Sequence, residues 1–174
     1  MPAEGDPNLA PPPPPAPPPP VDPVAWHQAF ASDPDAAARA SIDAWRAHGG
    51  LANVLPALAL EATQAPWPLT RADAVVCINM IHISPWRATE ALVEGASAIL
   101  PRGGVLFTYG PYRRSGAHTA PSNAAFDASL RARDPAWGVR DLEAVESAAR
   151  AKGFALEEIV EMPANNLSLV FRKG

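Results

Sequence analysis

A single cysteine in 174 residues excludes a disulfide framework and any C-x-x-C metal or redox motif. Cys77 lies inside an apolar run, where a thiol behaves as an inert core group rather than a nucleophile. Positive charge is also scarce. Lys and Arg number 14 against 18 Asp and Glu, and a net charge of -4 gives no field for nucleic-acid phosphate. No run of ~18 consecutive apolar residues occurs, so no membrane span is expected. The start lacks the basic and apolar regions of a secretory signal, and a soluble, cytoplasmic protein is expected. His27, His48, His82 and His118 have no metal-ligand spacing, so no metal site is expected. Neither a G-x-S-x-G elbow nor a G-x-x-x-x-G-K phosphate loop is present. Nothing in the sequence fixes an oligomeric state.

Proline, by contrast, is abundant at 22 residues, and it is concentrated at the start. Between Pro11 and Pro20 only Ala16 interrupts the run. Proline fixes φ and lacks the amide donor, so residues 1–23 are expected to form a polyproline II or disordered tail outside any core. Such a tail is a PxxP-type ligand, a passive arm or a mistaken translation start. From Val24 to Gly174 the composition is that of one folded domain.

Strand and helix patterns alternate through that domain. Val24–Phe30 reads as a strand. Ser32 or Asp33 offers a helix cap ahead of Pro34, with Ala38, Ile42 and Trp45 at helical spacing and Gly49-Gly50 as the stop. Val54–Leu60 reads as a second strand, ending at Glu61. Ala74–Ile78 is a third, apolar and partly β-branched, expected to be buried on both faces as in a parallel sheet. Ser84-Pro85 repeats the cap-then-proline start, and Leu92, Ala96, Ile99 and Leu100 mark one helical face. Val105–Tyr109 is a fourth strand. A long polar insertion, residues 110–140, holds a short helix from Ser122. A helix over residues 141–152 follows. Phe154–Met162 and Leu167–Arg172 then read as an antiparallel hairpin at the sheet edge.

The most informative stretch is Asn79-Met80-Ile81-His82-Ile83-Ser84-Pro85-Trp86, where the apolar run stops at a polar cluster. In open α/β sheets ligands sit beyond the carboxyl ends of the strands, which is where Asn79, His82 and Ser84 fall. A buried strand followed by an ordinary helix start explains the same residues.

Alternating βα units ending in a β-hairpin predict an α/β domain with the Rossmann-like class I methyltransferase sheet, whose last strand runs against the others. The polar strings agree. Besides residues 77–86, they are Ser32–Asp35, Tyr109–Arg114, His118–Asn123, Phe126-Asp127, Arg133–Asp141 and Met162–Asn166. From about Ser32 to Phe171 the chain resembles a family of small bacterial and eukaryotic proteins classed as S-adenosylmethionine-dependent methyltransferase-like, the relatives of methyltransferase-like 26, including a bacterial domain of unknown function.

The resemblance implies S-adenosylmethionine as cofactor and an unnamed small molecule as methyl acceptor, with no nucleic acid or membrane partner. Ribose hydroxyls on such a fold call for a carboxylate at a strand end, and Asp33 stands there; capping the following helix is its other reading. Glu61 stands where adenine's amino group is met, in place of the family's more usual Asp, or is a solvated loop acid. Asn79, with Met80 beside it, falls near the methionine portion. His82 is a base or a satisfied histidine at a helix start, and Ser84 is an N-cap. Tyr109, Tyr112, Arg113, Arg114, His118, Ser122 and Asn123 are candidates for the substrate side, suiting an anionic or planar acceptor, or else are packing. Asn165-Asn166 is a further candidate, or plain turn chemistry.

The resemblance also exposes an absence. The class opens with a strand and a glycine loop of the acid-x-x-x-G-x-G type, which lets the backbone approach the cofactor. Here the only glycines between Pro23 and Asn79 are Gly49 and Gly50. The expected sheet therefore lacks its first strand, glycine loop and first helix, which leaves strand edges unpaired. Two functions follow: a methyltransferase-like protein impaired in cofactor binding, or a non-catalytic remnant serving as an interaction module.

Overall fold

The computed structural model describes residues 31–174. The proline-rich stretch and the expected strand at Val24–Phe30 lie outside the described residues.

The first described element is helix α1, Ala36–His48. Its N-cap is Asp35, whose carboxylate accepts the Ala38 amide at 2.8 Å. The cap expected at Ser32 or Asp33 thus lies further on. Asp33 instead accepts the amide of Asp35 at 2.7 Å, so two aspartates share the entry ahead of the first turn. The chain leaves α1 at Gly49, as expected. No residue of α1 is buried, and Trp45 is 71% exposed. The strand expected at Val54–Leu60 is found only as isolated bridges at Val54 and Leu58, the latter parallel to Ser32. A strand needs neighbours to hydrogen-bond, and among the described residues only Ser32 meets this one.

Packing changes character at Trp67. Its indole lies over Gly95 of α2, where a Cβ would stand 2.2 Å from the ring, and its Nε1 donates to Ala62 O. Next come strand β1 (Ala74–Ile78), a 3-10 turn (Met80–His82), helix α2 (Trp86–Ile99) and strand β2 (Val105–Gly110). The insertion folds into strands β3 (Tyr112–Arg114) and β4 (Ala117–His118), helix α3 (Pro121–Arg133) and strand β5 (Arg140–Asp141). Helix α4 (Leu142–Ala151), then β6 (Phe154–Met162) and β7 (Asn166–Lys173), close the chain. The main sheet has the order β1-β2-β7-β6, with β1 parallel to β2 and both hairpin strands antiparallel to their neighbours. The hairpin therefore forms as the short connection between its strands, residues 163–166, leads one to expect. The small β4-β3-β5 sheet was not legible in the sequence, because strands of two or three residues carry no period.

Register sets the faces. Val75, Leu106 and Phe171 stand in one row, and Cys77, Thr108 and Leu169 in another. These rows lie in the core cluster with Leu92, Val93 and Ala96 of α2 and Val145 and Ala149 of α4. A fully buried Leu, Val or Phe contributes roughly 1.5–3 kcal/mol, so this face holds most of the stability. The opposite face runs Val76-Phe107-Val170 and Ile78-Tyr109-Ser168. At β1 it is open, with Val76 and Ile78 each 62% exposed. The expectation that this strand is buried on both faces is corrected: one face is covered and the other is not. Helix α2 also starts without the expected serine cap. Its N-cap is Pro85, and Ser84 Oγ donates back to Met80 O at 2.7 Å.

Candidate functional site

The carboxyl ends of β1 and β2 meet at Asn79, whose amide donates to Tyr109 O at 2.9 Å and carries the ladder one residue past β1. Asn79 then turns into the left-handed region, φ 59, which asparagine tolerates better than most side chains, and starts the 3-10 turn. Its side chain is exposed above the strand ends, with Oδ1 3.2 Å from where a Cβ on Gly110 would lie. That same Cβ would stand 2.4 Å from His82 Nε2, so only glycine fits at the end of β2.

His82 is fully enclosed. Its Nδ1 accepts the Arg140 amide at 3.3 Å, its carbonyl accepts the Gly138 amide at 2.9 Å, and its ring meets Tyr112 edge-on at 4.9 Å. Burial, aided by the Arg140 charge, lowers its pKa from 6.5 to about 3. The ring is therefore neutral near pH 7. With Nδ1 accepting, its proton sits on Nε2, which has no partner. In this conformation His82 packs under Gly110 and faces no crevice, the geometry of a core histidine.

Arg140 escaped the sequence reading. Its guanidinium donates to three carbonyl oxygens, Ile81 O at 2.9 Å, Ser84 O at 2.5 Å and Ala136 O at 2.9 Å, and lies 5.8 Å from the Trp86 ring centre. It fastens the turn after β1 to the far end of the insertion. Its only signal in the sequence is its place within the Arg133–Asp141 string, since carbonyl partners belong to every residue.

The insertion candidates separate into two groups. Tyr112, Arg113 and His118 are built into the insertion's own structure. Tyr112 is buried, donates its hydroxyl to Thr108 Oγ1 at 2.7 Å, and has its phenol pushed upward by burial. Arg113 pairs with Asp141 at 2.7 Å across β3 and β5. His118 Nε2 lies 3.5 Å from Asp127. Burial works to raise the Asp127 carboxyl, but Arg131, the Val139 amide and His118 together hold it below its usual value. Tyr109 and Asn123 come together with the hairpin turn instead. Asn166 Nδ2 donates to the Tyr109 hydroxyl at 2.9 Å, and Asn123 Nδ2 to Asn165 O at 2.9 Å. Asn165 reaches Ser122 at 3.2 Å, so amides and hydroxyls line this rim.

Glu61 borders an open hollow of about 390 Å³ with Thr63, Ile83, Ser84, Arg87 and Trp137. Its carboxylate accepts from both the amide and the hydroxyl of Thr63, at 3.2 and 3.0 Å. Asp33 is likewise engaged locally, as described. Among the described residues no group of His, Cys, Asp and Glu is placed to hold a metal, and no helix is long and apolar enough to cross a membrane. Tested against S-adenosylmethionine, the residues fit one part only. Asn79 stands free where the amino-acid end would lie, but the two acids close local turns, and no glycine loop adjoins β1 in the sequence or among the described residues.

A family of proteins of unknown function (DUF938) matches residues 21–173. The chain belongs to this family. Solved structures extend the comparison for this DUF938 protein. An O-methyltransferase family protein from Burkholderia thailandensis superposes with a TM-score of 0.72 at 15% identity, covering 84% of this chain and 44% of that one. The S-adenosylmethionine-dependent methyltransferase SibL gives 0.69 at 18% identity, covering 84% and 43%. Human N-acetylserotonin methyltransferase, in complex with SAM, gives 0.61 at 13%, covering 70% and 34%. The DUF938 chain thus spans less than half the length of each. At these identities the likeness shows the fold, and the expected class I methyltransferase-like α/β fold is what is found.

Proposed function

We propose that this protein is an S-adenosylmethionine-dependent methyltransferase-like protein of the cytoplasm, with a small molecule rather than nucleic acid or membrane as its substrate. We further propose that the 174-residue polypeptide holds the cofactor weakly or not at all. The observation that carries this reading is β1. Asn79 stands exposed at its carboxyl end, while its other side has no neighbouring strand among the described residues. Methyl transfer is mostly positioning followed by in-line displacement, so one side chain cannot replace a missing cofactor floor. The engagement of Asp33 and Glu61 in their own turns supports the same reading. Calorimetric titration with S-adenosylhomocysteine tests it: no heat of binding is expected at protein concentrations of tens of micromolar, and micromolar affinity overturns it.

The second reading, a non-catalytic interaction module, is favoured by a different observation, the exposed face that Val76 and Ile78 present on β1.

A further inference from the structure

The turn that joins β6 to β7 is held in a strained shape. Ala164 and Asn165 are both left-handed, at φ 60 and φ 58, and alanine in that region is unfavourable. Such strain persists only where surrounding contacts impose it. Here those contacts are polar. Buried Asn123 of α3 donates Nδ2 to Asn165 O at 2.9 Å and to Thr119 Oγ1 at 3.1 Å. Asn166 donates Nδ2 to the Tyr109 hydroxyl at 2.9 Å and to Pro163 O at 3.4 Å. Asn165 Nδ2 lies 3.2 Å from Ser122 Oγ. A backbone carbonyl only accepts, so Asn165 O and Pro163 O fix which end of Asn123 and of Asn166 is the donor. Each asparagine thus turns its donor inward. Among the described residues their Oδ1 oxygens accept nothing, and Asn165 is exposed and Asn166 half-exposed, so two amide oxygens are left for a ligand.

Tyr109 ties this turn to the strand ends. Its carbonyl accepts the Asn79 amide at 2.9 Å, and in register it stands beside Ile78, which is 62% exposed. Paired residues share a face of the sheet, so the phenol ring and the isoleucine form a flat apolar flank next to the amides. Charge is spent elsewhere. Arg113 is paired with Asp141 at 2.7 Å, Arg131 with Asp127 at 3.1 Å, and Arg140 holds three carbonyl oxygens. Arg114 ends β3, next to the tip whose Ser115 amide Glu143 of α4 accepts.

We propose that this rim recognises an uncharged substrate that carries N–H or O–H donors beside a flat apolar group, of the amide or alcohol class. The inference rests on the reading that a small molecule is the substrate, and it narrows that molecule's chemistry. An anion meets amide oxygens and no free cation on this rim, and a cation meets no free carboxylate. Either charge would be desolvated without a counter-charge, whereas a neutral donor pairs with Asn165 and Asn166 directly.

Three probes of nearly one shape separate the cases: benzamide, benzoate and protonated benzamidine. Each is titrated into the full chain without cofactor, with the side-chain amide signals of Asn165 and Asn166 and the ring signals of Tyr109 followed by NMR. Benzamide should shift all three sets saturably, with a dissociation constant on the order of 1–10 mM for so small a ligand. Benzoate and benzamidine should bind at least about tenfold more weakly. Asn165→Gly suits the left-handed backbone and removes one amide oxygen, and it should weaken benzamide about three- to tenfold. If that variant unfolds, the three-way comparison on the unaltered chain still decides. Tighter binding of either charged probe, no benzamide shift up to about 50 mM, or unchanged affinity in folded Asn165→Gly overturns the proposal. Calorimetry keeps the two readings apart. Heat with S-adenosylhomocysteine overturns weak cofactor binding and leaves the rim untouched, and absent benzamide shifts do the reverse.

Discussion

Residues 31–66 and residues 67–174 are built from similar material but held in different ways. The first segment has a well-capped amphipathic helix, α1, yet none of its described residues is buried. The second holds every buried hydrophobic residue of the described chain, from Cys77 to Phe171, most of them in one cluster of helices on a four-stranded sheet. Caps and periodicity suffice to form a helix, whereas stability comes from a face to bury it against. Helix α2 has that face, and α1 finds none among the described residues.

The contrast can be broken most severely at Phe171. It is fully buried between β2 and β6, and Phe171→Ala should cost about 3–5 kcal/mol in denaturant unfolding. A loss below about 1 kcal/mol would mean that this layer is not the stable unit. An intermediate effect comes from acid. His82 is held neutral, with its pKa lowered from 6.5 to about 3. Below 6.5 the unfolded state therefore binds a proton that the folded state refuses. Stability is complete above 6.5 and falls as the pH drops toward 3, by at most about 1.4 kcal/mol per unit for one proton. His82→Asn, which keeps an acceptor for the Arg140 amide, should flatten that part of the profile; an unchanged profile would assign the acid loss to other groups. The smallest effect belongs to α1. Trp45→Ala should change stability by no more than about 0.5 kcal/mol despite the size of the side chain. A loss as large as that at Phe171 would erase the distinction between the two segments.

What the sequence disclosed follows the same division. Helices α2 and α4 were legible because their helical spacing reports a face that is in fact covered, and the hairpin because only residues 163–166 separate its two strands. The strand at Ala74–Ile78 was legible as a strand but not in its burial, since Val76 looks the same whether a helix covers it or water does. Val54–Leu60 carries strand composition and forms only isolated bridges at Val54 and Leu58, because pairing depends on a neighbour elsewhere in the chain. Asn79 lies at the strand end where the pattern put it, whereas Gly110, whose missing side chain leaves room for His82, was not singled out in the sequence. The enclosure of His82 and the role of Arg140 depend on residues 136–140 folding back over residue 82, a long-range fact with no local signature. Ser84 looked like a cap because serine before proline usually is one; here its hydroxyl has a nearer acceptor in Met80 O.

Arg140 also bears on how the carboxyl end of the sheet accommodates substitution. One planar cation touches three carbonyl oxygens drawn from two stretches more than fifty residues apart. Lysine in its place keeps the charge but not the fork, and reaches fewer of them at once. The tip of the insertion and the loop after the third sequence-expected strand therefore share a single hinge pin. Mutations that reshape either one must drift together, so the two stretches should tolerate joint replacement better than separate change.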